Sequence, residues 1–355
     1  MTTMEETIGT QSGGAVLPDH PQPLAWDRCV AESQGGTIFQ TWDWGEARRA
    51  SGWVPHRLSV HDASSHLVAV AQMGLRQVGP LRVAYCQRGP VWASTDGLQE
   101  ILVQIRAFAA DSGAAFVKVN PDLALGSPEL ERFRDAGYVL NPSQHYMHRA
   151  TYRIDLTADE AALLQKMEGR TRRAIARSSR DGVEVDTGAD HGLLDRFLDL
   201  AQATARRQRF AVPDHDFLVS LLDTLGRDGR MRLSVGRLGS QDVSAAVHLF
   251  FAGRCSYMWG GSTDDRVLKR SNASQALHWA TMRAARTGGY RVYDLQGTHL
   301  DAAGEPDGGT AFFKRGFGGE LCRLVGDLEL PLRGGLYQAW KRLEPLYLRR
   351  KGGTR

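Results

Sequence analysis

Cysteine is scarce and scattered in this chain. Its 355 residues include four (Cys29, Cys86, Cys255, Cys322) and no Cys-x-x-Cys pair, which argues against a structural zinc site and suits a reducing compartment. Long apolar runs are missing as well: none approaches the ~20 residues that a bilayer-spanning helix needs. The N-terminus lacks the basic stretch and apolar core of a secretory signal. A cytoplasmic protein is expected, with a peripheral contact to the inner membrane face left open. Net charge is only +4, so a charged partner must be met by a local patch. There is no Gly-x-Ser-x-Gly, no His-Glu-x-x-His and no Walker lysine, so three common catalytic chemistries lack their carriers. His145 and His148 stand three apart with no third ligand in view. They read as loop histidines, and no metal or cofactor is expected.

What is present is an ordinary globular composition, 42% hydrophobic and 8% aromatic, at a length suited to two domains. Residues 1 to about 22 read as a disordered tail, with order beginning near Pro23. Strand patterns at His56–Val60, Leu67–Leu75, Arg82–Gln87 and Ala115–Val119 flank a helix pattern over Leu98–Ser112. A second cycle starts at Tyr152. Thr157-x-x-Glu160 has capping-box spacing, and the helix it opens is predicted to run into Arg180. A strand at Val183–Asp186 and a helix over Leu193–Phe210 come next, then strands at Met231–Arg237, Val243–Phe251 and Ser256–Gly260. A helix over Ala273–Thr287 precedes a strand at Val292–Leu295, and Leu336–Arg350 is an amphipathic helix. This order of elements argues for an α/β fold with mixed sheets, built as two similar halves.

Two stretches could carry chemistry. Lys314 lies among Phe312, Phe313 and Phe317 and before Gly318-Gly319, so its stem should be packed while its ammonium reaches a cavity. There it can offset developing negative charge. Lys166, Arg170, Arg172, Arg173, Arg177 and Arg180 put six cations in fifteen residues against Glu168 alone, a face suited to phosphates. A smaller cationic spot, Thr204-Ala205-Arg206-Arg207-Gln208-Arg209-Phe210, could hold a pyrophosphate or complement its own helix end.

Together these residues resemble the FemABX peptidyltransferases, over roughly 37 to 335. The matching motifs are Phe39-Gln40 with Trp44, Gln87-Arg88-Gly89-Pro90-Val91, Val119-Asn120-Pro121-Asp122, Arg170-Thr171-Arg172-Arg173 and Arg180-Asp181-Gly182-Val183. Thr204-x-x-Arg207, Tyr257-x-x-Gly260-Gly261-Ser262, Tyr293-Asp294-Leu295-x-Gly297 and Phe313-Lys314-x-Gly316-Phe317-Gly318-Gly319 complete the series.

The resemblance implies two GNAT-like domains, the first discontinuous: 37–150 plus 318–355 for the acceptor, 151–317 for the basic helix and catalytic lysine. It implies transfer of an amino acid from aminoacyl-tRNA to an amine of a peptidoglycan precursor, nucleotide- or lipid-linked, by a monomer. Lys314 takes the catalytic role and Arg207 the grip on a diphosphate. Gln40, Trp44, Tyr257 and Phe313 are expected at the substrate. A family lysine that touches the acceptor is replaced in a region offering Glu46 and Arg48. Asn120 stands where the family has an aspartate once considered as a base, leaving Asp122 as the nearest substitute. The basic run is expected to guide the tRNA.

Three alternatives remain: the same transfer to a peptide or nucleoside-peptide antibiotic intermediate, a CoA-dependent acetyltransferase, and an RNA-binding module without catalysis. For the CoA reading the sequence offers only Arg286-x-x-Gly289-x-Arg291, at a helix end rather than its start.

Overall fold

The computed structural model describes residues 22–141, 148–208 and 212–350. Its first run is α1 (Pro23–Glu32), α2 (Trp42–Ala47), β1 (Val54–His61), β2 (Leu67–Val78), β3 (Leu81–Cys86), β4 (Val91–Trp92), α3 (Thr95–Asp111), β5 (Phe116–Val119), α4 (Glu129–Asp135) and β6 (Val139–Asn141). The second is β7 (Ala150–Asp155), α5 (Glu160–Lys166), α6 (Gly169–Arg180), β8 (Val183–Gly188), α7 (His191–Gln208), α8 (His215–Leu225), β9 (Met231–Leu238), β10 (Gln241–Phe251) and β11 (Arg254–Ser262). It continues through α9 (Arg266–Lys269), α10 (Ala273–Thr287), β12 (Val292–Gly297), α11 (Gly308–Arg315) and β13 (Glu320–Arg323), and the chain closes with β14 (Asp327–Pro331) and α12 (Gly334–Arg350).

Each half is a seven-stranded mixed sheet flanked by helices, the α/β architecture expected. The first runs β1-β2-β3-β5-β14-β6, with β4 on β2; the second runs β13-β7-β12-β11-β10-β9-β8. Each contains one parallel pair, β3 with β5 and β11 with β12, among antiparallel neighbours. Alternation places Ala69, Ala71, Ala84 and Val117 under α3, which contributes Leu98, Ile101 and Ile105. The intervening Val83 and Phe116 face α12 through Tyr337 and Trp340. In the second sheet Gly261 lets α7 approach closely, because a Cβ there would lie 2.4 Å from the Ala201 nitrogen.

The unit boundaries differ from those expected. Residues 1–21 lie outside the described residues, but α1 already belongs to the first half, with Trp26 and Val30 packed on Val70 and Val91. The return to the first sheet comes after Arg323 rather than at 318, because Glu320–Arg323 pair with β7. The long helix predicted into Arg180 is broken at Met167-Glu168: the Glu168 amide donates to the Gly316 carbonyl at 3.0 Å instead of continuing the helix. Thr157 does not cap α5. Asp159 does, accepting from the Ala162 amide at 2.8 Å, while Thr157 bonds to Asp155. The α8 helix, absent from the sequence reading, is capped by Asp214 and buries Phe217, Leu218, Leu221 and Leu222.

Candidate active site

The parallel pair β11–β12 stays in register only from Arg254↔Val292 to Ser256↔Asp294. Beyond that point β11 bulges, so that Tyr257 and Trp259 oppose consecutive residues of β10, and the two strands part. A cavity of about 770 Å³ opens in the gap, bounded by Tyr257 to Ser262, Gln296, Gly297 and the α11 residues Phe313 and Lys314. Parting the strands leaves carbonyls of β12 without a strand partner. Lys314 supplies one: its Nζ donates to the Gln296 carbonyl at 2.9 Å and the Gly297 carbonyl at 2.6 Å.

The lysine is 5% exposed. Burial pushes its pKa down to about 8, against the pull of the Asp294 carboxylate. Asp294 is itself fixed, accepting from the Thr151 hydroxyl at 2.6 Å and from Arg153 Nε at 3.0 Å. Lys314 Nζ lies 5.8 Å from the Tyr257 ring centroid. His278, on α10, walls the same cavity with its ring against Tyr257, Phe313 and Phe317. Its Nδ1 is 2.7 Å from the Tyr293 hydroxyl, which is 2.9 Å from His248 Nε2. Burial holds both imidazoles neutral at pH 7, so they add no charge beside the ammonium.

Lys314 and the basic run are neighbours. Arg170 Nη2 donates to the Phe312 carbonyl at 2.7 Å, and Arg315 pairs with Glu168 at 3.1 Å. Gly318, at φ +75°, is required where a Cβ would lie 2.3 Å from the Lys166 carbonyl. The cations have different tasks. Arg172 folds back onto the carbonyls of Gln165 and Met167, closing the C-terminus of α5, and Arg177 pairs with Asp181 at 3.1 Å. Lys166, Arg173 and Arg180 are exposed.

A second cavity, of about 600 Å³, lies between the halves and meets the first at Pro213 and Trp259. Trp53 forms its wall, with the guanidinium groups of Arg48 and Arg76 at 5.0 and 5.5 Å from the indole centroid. Lys118 and Trp340 also line it. Of the two residues the sequence offers in this region, Arg48 lines the cavity and Glu46 is turned away to Arg49 and Arg57. Sequence alone does not single out Trp53, Arg76 or Lys118, because an isolated cation or indole on or beside a strand carries no local signal.

Several expected site residues do other work. Gln40 is fully buried; its Nε2 donates to the Gln87 carbonyl at 2.7 Å and its Oε1 accepts from the Gln72 amide at 2.8 Å. It bolts the loop after β3 to β2 and lines neither large cavity. Trp44 is buried between Phe39 and Phe217, with Nε1 at 3.3 Å from Gln87 Oε1. It borders a narrow cleft beside Arg48 and lines neither large cavity. Arg207 is not in the wall of either large cavity. It is paired with Asp264 at the rim, with Nη2 at 3.2 Å from Ser262 Oγ, while Thr204 and Ser262 do line the lysine cavity.

Asp122 is unsuited to a base. Its oxygens accept from Arg153 Nη2 at 2.6 Å and Arg254 Nη1 at 2.7 Å, and those guanidiniums hold its carboxyl well below the usual range. Asn120 is a buried junction: it accepts from the Arg88 amide and donates to the Tyr85 hydroxyl and Asp327. Of the two histidines, His145 lies outside the described residues and His148 sits over Gly297. No cluster of three metal-type ligands occurs among the described residues. Nor is any helix among them long and apolar enough to cross a membrane.

Comparison with known proteins gives concordant results. A profile described as the FemAB family matches residues 24–238, and one described as an acetyltransferase (GNAT) domain matches 165–315. The lipid II:glycine glycyltransferase of Staphylococcus haemolyticus is 22% identical over 90% of this chain and 94% of its own length. Its counterpart from Staphylococcus epidermidis is 22% identical with the same coverage. Among solved structures, FemX superposes with a TM-score of 0.80 at 20% identity, covering 90% of this chain and 98% of FemX. L-PGS from Bacillus licheniformis gives 0.58 at 13% identity, covering 94% and 98%.

Proposed function

The chain belongs to the FemAB family, and from that premise we propose that it is an aminoacyltransferase. Its donor is aminoacyl-tRNA and its acceptor an amine on the peptide of a peptidoglycan precursor. The observation that carries this reading is Lys314: a buried ammonium in the wall of the larger cavity, braced by the helix that bears the exposed cations. The named relatives act on lipid II, which supports a lipid-linked acceptor. The cationic, aromatic cavity around Trp53 suits the anionic linker of such a molecule. The first half would hold the acceptor, and the second the tRNA 3′ end.

The ester of an aminoacyl-tRNA is already activated. The neutral acceptor nitrogen attacks its carbonyl carbon, a C–N bond forms, and the C–O bond to the ribose breaks as that oxygen takes up the proton that the nitrogen releases. Holding amine and ester together can supply several kcal/mol, on the order of 7–11 at best. Lys314 would offset the charge on the tetrahedral oxygen or the departing ribose oxygen. Its present partners are neutral carbonyls, so a developing oxyanion can compete for the ammonium. No protein base is required, in keeping with the locked state of Asp122. A CoA reading is disfavoured at the helix start after β11, where the Asp265 carboxylate already accepts from the Val267 and Leu268 amides.

The test is Lys314→Met, assayed with charged tRNAs and lipid- or nucleotide-linked precursors. A loss of roughly 100- to 1000-fold in turnover is expected, with the circular dichroism of the fold unchanged. Turnover near wild type would remove Lys314 from the mechanism.

A further inference from the structure

The α12 helix has two unlike faces. Its inner face is tied down: Tyr337 donates to Glu329 at 2.8 Å, Trp340 stacks on Phe116 and walls the second cavity, and Glu344 is buried against Lys341 at 2.7 Å. Its outer face carries Leu336, Leu343 and Leu346, which are 42%, 56% and 56% exposed. Their spacing, with exposed Ala339 between them, lays one apolar stripe along the helix. A solvated face would be polar there, and the sheet is already covered by the opposite side of the same helix.

The exposed charges along this segment have one sign. Arg333 and Arg342 are exposed, and the sequence continues with Arg349, Arg350 and Lys351. The single acid between 333 and 355 is Glu344, turned inward and paired. An apolar stripe bordered by cations complements a bilayer rich in anionic lipid, whose interior accepts the leucines and whose headgroups accept the arginines.

We propose that this outer face of α12 rests on an anionic membrane surface. The helix that walls the acceptor cavity would then also be the element that adsorbs, so a lipid-linked acceptor could enter with its tail still in the bilayer. This rests on the lipid-linked reading of the acceptor given above. The interaction is one of reversible adsorption, because three leucines and a few cations are far short of an inserted helix.

The experiment is sedimentation of the full chain with phosphatidylcholine vesicles, with and without phosphatidylglycerol, in the absence of tRNA and acceptor. The wild-type chain should sediment with the anionic vesicles only and be released by high salt. The double variant Leu343→Glu/Leu346→Glu should lose at least about tenfold in binding, and Arg342→Glu should weaken it separately. Both changes are on exposed positions, so turnover on a soluble nucleotide-linked acceptor should stay at the wild-type level while turnover on vesicle-borne acceptor falls. Wild-type protein left in the supernatant, or a double variant that binds equally well, would overturn the proposal. So would a dimer in solution that the leucine changes dissociate, since the stripe would then be covered by a second copy. Because vesicle binding is read without any transfer, its failure leaves the transferase reading standing. Intact binding with no transfer would strike that reading alone.

Discussion

At Lys314 the balance between burial and the nearby Asp294 sets a pKa of about 8, which makes a pH profile informative. The ammonium is present below that value and is lost above it, whereas the acceptor amine becomes reactive as pH rises. Turnover should therefore pass through a maximum with an alkaline limb near pH 8. In Lys314→Arg, whose charge persists, that limb should move out of range, and a profile identical to wild type would assign it to another group. Asn120 gives a second prediction at this scale. As aspartate it would set a carboxylate 2.9 Å from Asp327, in a buried site where one oxygen already accepts from the Arg88 amide. We expect Asn120→Asp to cost about 2–4 kcal/mol in denaturant unfolding rather than to confer a base.

Among the elements, α6 separates structural from exposed cations. Arg172→Glu uncaps α5 and disturbs the turn behind Lys314, so its effect on RNA binding would be ambiguous. The pair Arg173→Glu/Arg180→Glu leaves those contacts alone. It should weaken tRNA binding and reduce the slope of log affinity against log salt by about 1.5–2; an unchanged slope would exclude this face from the contact. The same elements mark how far sequence carries. The helices α3 and α10 were legible from one covered face at helical spacing, and the strands from β7 to β12 as short runs rich in apolar and β-branched residues between turn signals. The break at Met167 was not, since nothing local announces that the Glu168 amide will bond to Gly316, well over a hundred residues away. Lys314 stood out through its aromatic neighbours. Arg48 was suggested only through a family motif, and His278 reads as one of several polar residues in an amphipathic helix until Tyr293 is brought to it.

At the scale of the molecule the two sheets are pinned by Asp122, whose carboxylate in the first half takes both Arg153 and Arg254 from the second. Removing one partner of a buried ion cluster is costly, so Asp122→Ala should lose about 3–5 kcal/mol. Its turnover per folded molecule should nevertheless persist, and abolished turnover in a folded variant would restore it as a catalytic group. The sequence could name Asp122 but not this duty, because both arginines come from strands of the other sheet. The topology has one more consequence. β14 lies between β5 and β6 in the first sheet, so a strand made near residue 330 fills a slot framed by strands made before residue 142. While the ribosome is still translating the second half, the first must wait with two unpaired strand edges. The half that starts first finishes last, and a nascent chain of this design depends on being shielded from its neighbours until that late strand emerges.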